Sequence, residues 1–417
     1  MGDFVGYRCS LCGKEYLPHQ VTYTCPQDGG NLDVILDYAA IQSHTTPQDI
    51  FASPEASLWR YLPLLPVSDP GGAGTPLHAA GWTPVFRPHA LAQKLGLESL
   101  WVKDESRNPT ASFKDRASAV LIGRARDIGA EVVVTASTGN AGAALAGMSA
   151  AVGQKAVIFA PRTAPPAKIA QLLVFGAQVL LVDGTYDDAF DLTIQAAPAF
   201  GWYCRNTGYN PFTAEGKKTA ALEIWEWMAH QAGPDLPPGK RLSLFVPVGD
   251  GNIISGLHKG FKDLHALGWL PEMPRLFGVQ AEGSAAIANA FFAGTEQIIP
   301  VQARTLADSI SVDLPRDGVR AVRAARETGG SYLVVPDSAI LAAIAALGSA
   351  GIFAEPAGAT AYAGLVQALH RGLIAPHDPV LVLNTGSGLK DVRAAMHAVK
   401  EAPIIAPNLD AVRKCIG

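Results

Sequence analysis

Short apolar runs alternate with longer stretches of helical period along most of the chain. Between the runs, alanine-rich segments repeat their apolar positions every three or four residues, as helices with one buried face do. The runs are rich in valine and lie at 100–103, 131–135, 155–160, 178–183, 242–248, 275–280, 332–335 and 380–383. This alternation of strand and helix predicts parallel sheets covered by helices, which is the α/β fold class.

One lysine stands where a predicted strand passes into a predicted helix. Lys114 follows the run at 100–103 and precedes a helix predicted over 117–127. Ser112 and Asp115 have nearly the spacing of a capping box, so we predict that Ser112 caps this helix. The positive end of the helix dipole would lower the pKa of an amine in the first turn, which suits a Schiff base. Taken alone, such a lysine is more often a solvated surface residue, so its role depends on the rest of the chain.

Three loops follow predicted strands at the places where open α/β sheets bind ligands. The Ser-Thr-Gly-Asn loop at 137–140 opens a helix, and its free backbone N–H groups suit a carboxylate. The Gly-Asp-Gly-Asn-Ile loop at 249–253 lets backbone amides approach a phosphate, and it lacks the lysine of a Walker loop. The third loop, at 384–391, follows the last predicted strand. Each loop alone would more often be a simple structural turn.

The composition narrows the class of protein. A chain of 417 residues can form two domains, and 48% hydrophobic with 17% charged residues fits a globular protein. The net charge of −4 predicts no nucleic-acid surface, and we expect no membrane span because no apolar run is long enough. No GxGxxG follows a predicted strand with an acidic residue behind it, which argues against a Rossmann oxidoreductase. Five cysteines, an odd number, favour a reducing cytoplasm over a disulfide framework.

The first 36 residues carry a knuckle-like pattern of cysteines. Cys9 and Cys12 form a CxxC pair, and Cys25 with Asp28 has the spacing of a second pair whose last cysteine has become aspartate. Three thiolates and one carboxylate are enough for a tetrahedral structural zinc site, with His19 as a spare donor. The pattern is also compatible with a degenerate knuckle that folds without metal.

Five segments together resemble the fold-type II pyridoxal-phosphate (PLP) enzymes, which are tryptophan synthase β-like, and most of all the threonine synthase family. The segments are NPTASFKDR at 108–116, STGN at 137–140, VPVGDGNIISG at 246–256, EPAGA at 355–359 and NTGSGLKD at 384–391. The resemblance covers nearly the whole chain. It implies a two-domain PLP enzyme with the cofactor between the domains.

The resemblance also implies a role for individual residues. Lys114 would carry PLP as a Schiff base, with Phe113 against the pyridine ring, Asn140 at the phenolic oxygen and Thr385 at the pyridine nitrogen. The substrate would be bound by Ser137, Thr138, Gly139 and Asn140. The cofactor phosphate would be bound by Gly249, Asp250, Gly251, Asn252 and Ile253. A hydroxyl such as that of Thr385 cannot keep the pyridine nitrogen protonated as a carboxylate would. The weaker electron sink suits elimination and replacement rather than transamination.

The family reaction is the conversion of O-phospho-L-homoserine and water to L-threonine and phosphate, and two positions depart from its pattern. Ala141 stands where the family typically has threonine, and Thr213 stands where it has an arginine that binds the substrate phosphate. Threonine cannot make the bidentate contacts of arginine. We therefore predict that other cations contact the substrate, namely Lys217 and Lys218, with Arg205, Arg162 and Lys168 as alternatives.

A different substrate is the alternative that these departures leave open. It would make the chain a PLP-dependent serine or threonine dehydratase, or a β-replacement enzyme such as a cysteate synthase. A non-catalytic homologue is disfavoured because Lys114, Asn140 and Thr385 are intact.

The predicted organisation follows from these assignments. We expect a knuckle at 1–36, a large PLP-binding domain at 37–112 and 211–417, and a small substrate domain at 113–210. The Pro-, Ser- and Thr-rich stretch at 37–76 reads as an arm, and Trp59, Arg60 and Tyr61 would anchor it on the core. The family further implies a homodimer, with a small amino acid as its substrate.

Overall fold

The chain folds as three sheets, with helices packed around the two larger ones. The computed structural model describes residues 3–164, 166–232, 236 and 239–416. The strands are β1 Phe4–Cys9, β2 Glu15–Tyr16, β3 Leu32–Leu36, β4 Val85–Phe86, β5 Leu100–Asp104, β6 Val132–Ala136, β7 Lys155–Pro161, β8 Gln178–Val182, β9 Tyr203–Cys204, β10 Ser243–Pro247, β11 Arg275–Ala281, β12 Ser331–Val335 and β13 Val380–Asn384. The helices are α1 Tyr38–His44, α2 Pro47–Phe51, α3 His89–Leu95, α4 Lys114–Asp127, α5 Asn140–Ala151, α6 Pro166–Val174, α7 Tyr186–Phe200, α8 Phe212–His230, α9 Asn252–Ala266, α10 Ala286–Phe292, α11 Gly318–Glu327, α12 Asp337–Ser349, α13 Pro356–His370, α14 Val392–His397 and α15 Leu409–Ile416. None of the described helices combines the length and the apolar composition that crossing a membrane requires.

The largest sheet has six strands in the order β12-β11-β10-β13-β5-β4. Its strands pair in parallel, except that β4 runs antiparallel to β5 at the edge. Every residue of β5, β10 and β13 is buried. Because helices cover both faces, these strands are mostly apolar runs without alternation, which is the pattern that the sequence showed, although β5 ends in the buried Lys103 and Asp104. The predicted α/β class with parallel-rich sheets is confirmed.

The second sheet has four parallel strands in the order β8-β7-β6-β9, all of which fall within residues 113–210. Three of these strands were predicted from their valine-rich runs. The fourth, β9, is only two residues long, and two residues are too few to show a period. Its place beside β6 is nevertheless important, because the residue after β9 reaches the cavity described below.

The strand-to-helix loops converge at the carboxyl ends of both sheets. In the larger sheet, β5 leads toward α4, β10 leads to α9, and β13 leads to the loop that begins at Thr385. In the smaller sheet, β6 leads to α5. Parallel strands present their carboxyl ends at one edge, so the two sheets place all four loops around a common cleft.

The N-terminal segment packs on the rest of the chain. Its small sheet has the antiparallel order β2-β1-β3. The predicted arm contains α1, α2 and a 3-10 helix over Leu58–Leu64. Arg60 and Tyr61 both donate to the buried Glu226 carboxylate of α8, at 2.7 and 2.6 Å. The prediction that these residues anchor the arm on the core is confirmed.

A buried ion network fixes the first turns of α4. Arg116 donates to Glu105 at 2.7 Å and to Glu223 at 2.5 Å, and Lys103 donates to Glu223 at 2.7 Å. All four side chains are at most 3% exposed. Burial alone would raise the pKa of Glu223, but the positive charges of Arg116 and Lys103 lower this pKa to about 2. Two carboxylates thus face two cations, and the network joins β5, α4 and α8 beneath Lys114.

Candidate active site

Lys114 is the first residue of α4 and lines a cavity of about 560 Å³ at the edge of the two sheets. Burial, and after it the positive charge of Arg205, lower the pKa of Lys114 to about 8. An amine of this pKa is partly neutral near physiological pH and can act as a nucleophile or a base. The cavity is of the size that small ligands and cofactors occupy.

The helix start differs from the one predicted. Phe113 is the N-cap of α4 and no side chain caps it, while Ser112 Oγ lies at 3.4 Å from the Lys114 amide. Asp115 cannot complete a capping box because its carboxylate accepts hydrogen bonds from the backbone and side chain of Thr110. The predicted capping box is therefore absent, and Phe113 rather than Ser112 is the N-cap. The Ser112 hydroxyl still accepts a hydrogen bond from the first amide of the helix, which begins close to where it was expected.

The 137–140 loop forms one wall of the cavity, and all four of its residues line it. The helix α5 begins at Asn140 and no side chain caps it, so N–H groups of its first turn are free to bind an anion. The side-chain amide of Asn140 donates to both carboxylate oxygens of Glu355, at 2.9 and 3.1 Å. This contact bridges the small sheet and the helix α13 of the other part of the chain.

The 249–253 loop forms a second wall, and all five of its residues line the cavity. Gly251 is the N-cap of α9 with a φ of 89°, a conformation that favours glycine. At Gly249 an added Cβ would lie 2.8 Å from the Cα of Ile310, so a larger residue would displace the neighbouring loop. The free N–H groups at the start of α9 thus face the cavity, and such a helix terminus binds phosphate groups.

Thr385 lies on the wall of the same cavity, directly after β13. Its carbonyl accepts a hydrogen bond from the Phe113 amide at 2.9 Å, which ties this loop to the start of α4. The Phe113 side chain is fully buried and is not among the residues that line the cavity. Of the residues proposed to contact the ring, Thr385 reaches the cavity and Phe113 packs behind it.

The two adjacent lysines on α8 point to different surroundings. Lys217 lines the cavity and donates to the Asn252 side-chain oxygen. Lys218 lies outside the cavity and pairs with Glu215 at 2.5 Å and Asp263 at 2.9 Å. The prediction that Lys218 contacts the substrate does not fit this position, because its charge is already neutralised within the core.

The remaining candidate cations differ in their burial and in whether they line the main cavity. Arg205 is fully buried and lines the cavity. Arg162 is exposed and pairs with Asp183 at 3.3 Å. Lys168 pairs with Asp308 at 2.5 Å beside a smaller adjoining cavity of about 130 Å³. Arg205 and Lys217 are therefore the two fully buried candidates on the wall of the main cavity.

Two parts of the cavity wall had no assigned role at the level of sequence. Glu355 lines the cavity next to Asn140, and burial raises the pKa of its carboxyl. Residues within 303–316 supply a further wall, including Ser309, whose hydroxyl lies 3.4 Å from the Asn140 amide nitrogen. Glu355 precedes a proline at the first position of α13, and this pattern could have identified Glu355 in the sequence as the start of a helix. The 303–316 segment has no periodic pattern that would have singled it out.

The cysteine cluster lies apart from this cavity, in the N-terminal knuckle. One donor atom each from Cys9, Cys12, Cys25 and Asp28 lies within 4.8 Å of all the others. The Sγ atoms of Cys12 and Cys25 are 3.8 Å apart, and Cys9 Sγ lies 3.3 Å from the nearer Asp28 oxygen. The structure thus brings together the four predicted donors.

Comparison with known proteins identifies the family. Residues 77–386 match the family model described as pyridoxal-phosphate dependent enzyme. The chain is 37% identical to threonine synthase of Methanocaldococcus jannaschii and 36% identical to that of Methanosarcina acetivorans, over 98% of this chain and of each relative.

Solved structures agree on the fold. The processed form of threonine deaminase isoform 2 from Solanum lycopersicum has a TM-score of 0.65 at 21% identity, covering 87% of this chain and 89% of that one. Maize serine racemase has a TM-score of 0.62 at 23% identity, covering 73% of this chain and 88% of that one. With the curated relatives aligned from end to end, the chain belongs to the threonine synthase family of fold-type II pyridoxal-phosphate enzymes.

Proposed function

We propose that this protein is a PLP-dependent lyase that converts O-phospho-L-homoserine and water to L-threonine and phosphate. The observation that carries the proposal is the identity of 37% to a threonine synthase over 98% of both chains. The cavity supports it, because an amine of lowered pKa, an uncapped helix start and a hydroxyl at Thr385 face one space. These groups fit a cofactor that carries an aldehyde, a phosphate and a ring nitrogen.

The residues that line the cavity would each have a separate role in this reaction. Bound PLP supplies an electron sink for the negative charge that develops on the substrate. Lys114 would hold the cofactor, and once freed its amine would remove a proton from Cα and then one from Cβ as phosphate leaves Cγ. It would return protons at Cγ and at Cα, while water supplies the hydroxyl at Cβ. The N–H groups of 249–253 would hold the cofactor phosphate, and those of 137–140 the substrate carboxylate. Asn140 would orient the cofactor's phenolic oxygen, and Thr385 would meet its ring nitrogen.

The second candidate is a dehydratase or β-replacement enzyme, and Thr213 favours it. The Thr213 hydroxyl is buried, donates to the Asn210 carbonyl at 2.7 Å and lies 3.3 Å from the Asn252 side-chain oxygen. It is not among the cavity-lining residues, so this position offers nothing to a phosphate. A substrate without a phosphate would need no replacement for the missing arginine.

Product analysis separates the two candidates. Purified holoenzyme incubated with O-phospho-L-homoserine should release equimolar L-threonine and inorganic phosphate, and Lys114→Ala should release neither. Formation of a 2-keto acid from L-serine or L-threonine, with no threonine from O-phospho-L-homoserine, would overturn the proposal in favour of a dehydratase.

We also propose that the knuckle holds a structural zinc ion. A tetrahedral ion with zinc–sulfur bonds of about 2.3 Å separates its sulfur ligands by about 3.8 Å. The observed distance of 3.8 Å between the Cys12 and Cys25 sulfurs matches that edge, and Asp28 supplies the fourth donor. All four donors are protein groups, so the site would be closed and structural rather than catalytic.

Metal analysis tests the zinc proposal. The purified protein should contain one zinc per chain, Cys12→Ser should lose it, and Cys415→Ser should keep it because Cys415 is exposed and remote from the cluster. A folded, active wild-type protein without zinc would overturn the proposal.

The assembly and location are further parts of the proposal. We infer a homodimer in the cytoplasm, with a domain at 113–210 beside a larger one formed by 37–112 and 211–417. The unpaired state of five cysteines supports a reducing compartment. Light scattering on the purified holoenzyme tests the dimer, since a monomer mass at micromolar concentration would contradict it.

A further inference from the structure

Arg205 is a buried cation whose hydrogen bonding is incomplete. It follows β9 directly, and its side chain is fully buried on the cavity wall. Its Nη1 donates to Thr207 Oγ1 at 2.6 Å and its Nε to Ser118 Oγ at 3.4 Å, but Nη2 has no partner among the described residues. An unsatisfied buried donor of this kind costs about 1–3 kcal/mol, and more when the group is charged. The guanidinium is therefore prepared for an acceptor that enters the cavity.

Lys217 places a second buried basic group on the same cavity wall. Its ammonium contacts the Asn252 side-chain oxygen, which is neutral. Burial, followed by the charges of Lys114 and Arg205, holds the pKa of Lys217 well below its ordinary value. Within the described part of the chain, no carboxylate lies within 4 Å of the charged atoms of Arg205 or Lys217. Other buried cations of this chain, such as Arg116 and Lys218, do have such partners.

None of the five acidic residues on the cavity wall pairs directly with Arg205 or Lys217. Asp187 binds Arg316, Asp308 binds Lys168, and Asp313 accepts from the Ala303 amide. Glu355 is engaged by Asn140, and the Asp250 side chain accepts from the Arg316 amide at 3.2 Å. Burial raises the pKa of both carboxyl groups, so each holds its proton more readily than an exposed acid. The negative charge of Asp250 acts on both Arg205 and Lys217 but makes no ion pair with either. The Nη2 of Arg205, for which the described chain offers no partner, therefore remains available to an anion that enters the cavity.

The position of Arg205 indicates which anion this is. Its amide donates to Val134 of β6 at 2.7 Å, and β6 leads straight into the 137–140 loop. Its Nε reaches Ser118, which lies one helical turn after Lys114 on α4. Arg205 therefore stands on the substrate side of the cleft and close to the reacting amine. The 249–253 loop, in contrast, extends from the larger sheet.

We propose that Arg205, supported by Lys217, binds the anionic side-chain group of the substrate, which is the leaving phosphate if the proposed function holds. Lys217 lies four residues after Thr213 on α8, so the two positions share a helix face one turn apart. The positive charge expected at position 213 is thus supplied by Lys217, one turn later on α8, and by Arg205, directly after β9. The inference rests on the proposed function only for the name of the anion, not for the existence of the subsite.

The first test measures binding of inorganic phosphate to PLP-loaded protein by isothermal titration calorimetry. The variants are Arg205→Gln, Arg205→Lys and, as a matched control, Arg371→Gln, an exposed arginine at the end of α13. We expect Arg205→Gln to weaken phosphate binding at least tenfold and Arg205→Lys to weaken it less, since the charge is kept and the fork is lost. Cofactor content, read from absorbance, should be unchanged in all three. Equal phosphate affinity in wild type and Arg205→Gln would overturn the inference.

The second test measures turnover of O-phospho-L-homoserine by the same proteins. Arg205→Gln should raise KM at least tenfold while the cofactor spectrum is unchanged, and Arg205→Lys should restore part of the loss. If Arg205→Gln fails to fold, Arg205→Lys serves as the test instead. An unchanged KM and an unchanged phosphate affinity in that variant would overturn the inference.

The outcomes also separate this inference from the proposed function. Wild-type protein that makes no threonine but binds phosphate through Arg205 would overturn the function and support the subsite. Normal threonine formation with an unchanged KM in Arg205→Gln would support the function and overturn the subsite.

Discussion

Asn140 donates two hydrogen bonds from its side-chain amide to the Glu355 carboxylate, at 2.9 and 3.1 Å. The two residues belong to helices on opposite sides of the cleft, since α5 follows the smaller sheet and Glu355 precedes α13. The amide thus satisfies a buried carboxylate and holds the two walls together around Lys114. Any group placed at Asn140 acts on the cavity wall and on this contact between the two parts of the chain.

Replacing Asn140 by aspartate should make cofactor affinity depend on pH. Asn140→Asp sets a second carboxylate against Glu355, and two such groups in contact cannot both ionise without strong repulsion. At low pH the pair shares a proton, whereas at higher pH both groups ionise and push the walls apart. We expect the PLP affinity of Asn140→Asp to fall about tenfold or more between about pH 6 and about pH 8.

The matched control is Asn140→Ala, which removes the amide without adding charge. Its PLP affinity should be lowered by a similar factor at both pH values. Spectroscopic titration with PLP measures both variants. An Asn140→Asp affinity that changes with pH no more than that of Asn140→Ala would contradict the role of this contact.

The pKa of Lys114 predicts how quickly the apo-protein captures its cofactor. Since burial lowers this pKa to about 8, the amine is mostly protonated below that pH and mostly neutral above it. Only the neutral amine attacks an aldehyde, so the capture rate should rise with pH through about 8 and level off beyond it. With an ordinary lysine, the capture rate would keep rising up to the lysine pKa of about 10.4. Stopped-flow absorbance after mixing with PLP measures the profile, and a rise that continues to pH 10 would refute the assignment.

The ion network beneath α4 should be costly to break. Glu223→Gln removes a charge that faces Arg116 and Lys103, and breaking a buried pair in this way costs about 3–5 kcal/mol of unfolding free energy. Because Arg116 and Lys103 lower the pKa of Glu223 to about 2, the ionised form stabilises the wild type above its ordinary pKa of about 4.3, and this contribution is lost as the pH falls toward 2.

An exposed pair gives the comparison for this prediction. Glu15→Gln breaks the pair with Arg8, in which both side chains are more than half exposed, and it should leave stability close to that of the wild type. Urea denaturation at neutral pH measures both variants. Equal midpoints for Glu223→Gln and Glu15→Gln would show that the buried network contributes little.

Local patterns were sufficient to predict much of this fold and part of the site. Lys114 begins a helix, and the loops at 137–140 and 249–253 lie directly at strand-to-helix junctions, so a few residues of sequence specify much of their conformation and their place at the sheet edge. Adjacent lysines are different. Successive residues on a helix point about 100° apart, so the sequence could not tell that Lys217 faces the cavity and Lys218 the core.

Contacts between distant segments account for what the sequence missed. Asn140 and Glu355 are 215 residues apart, and only the packing of the two sheets brings them together. Arg205 reaches the cavity from a strand of two residues, which has no detectable period. The predicted capping box of Ser112 and Asp115 does not form because Asp115 accepts from Thr110 instead, a competition that residue spacing does not reveal.

Two lysines, Lys114 and Lys217, line the cavity, and we propose that the cofactor binds to the first of them. Reduction of the PLP-loaded protein with borohydride, followed by proteolysis and mass spectrometry, fixes the cofactor to whichever amine holds it. We expect a pyridoxyl-phosphate group on the peptide that contains Lys114, and none on the peptide that contains Lys217. Labelling of Lys217, or of another lysine in place of Lys114, would contradict this proposal.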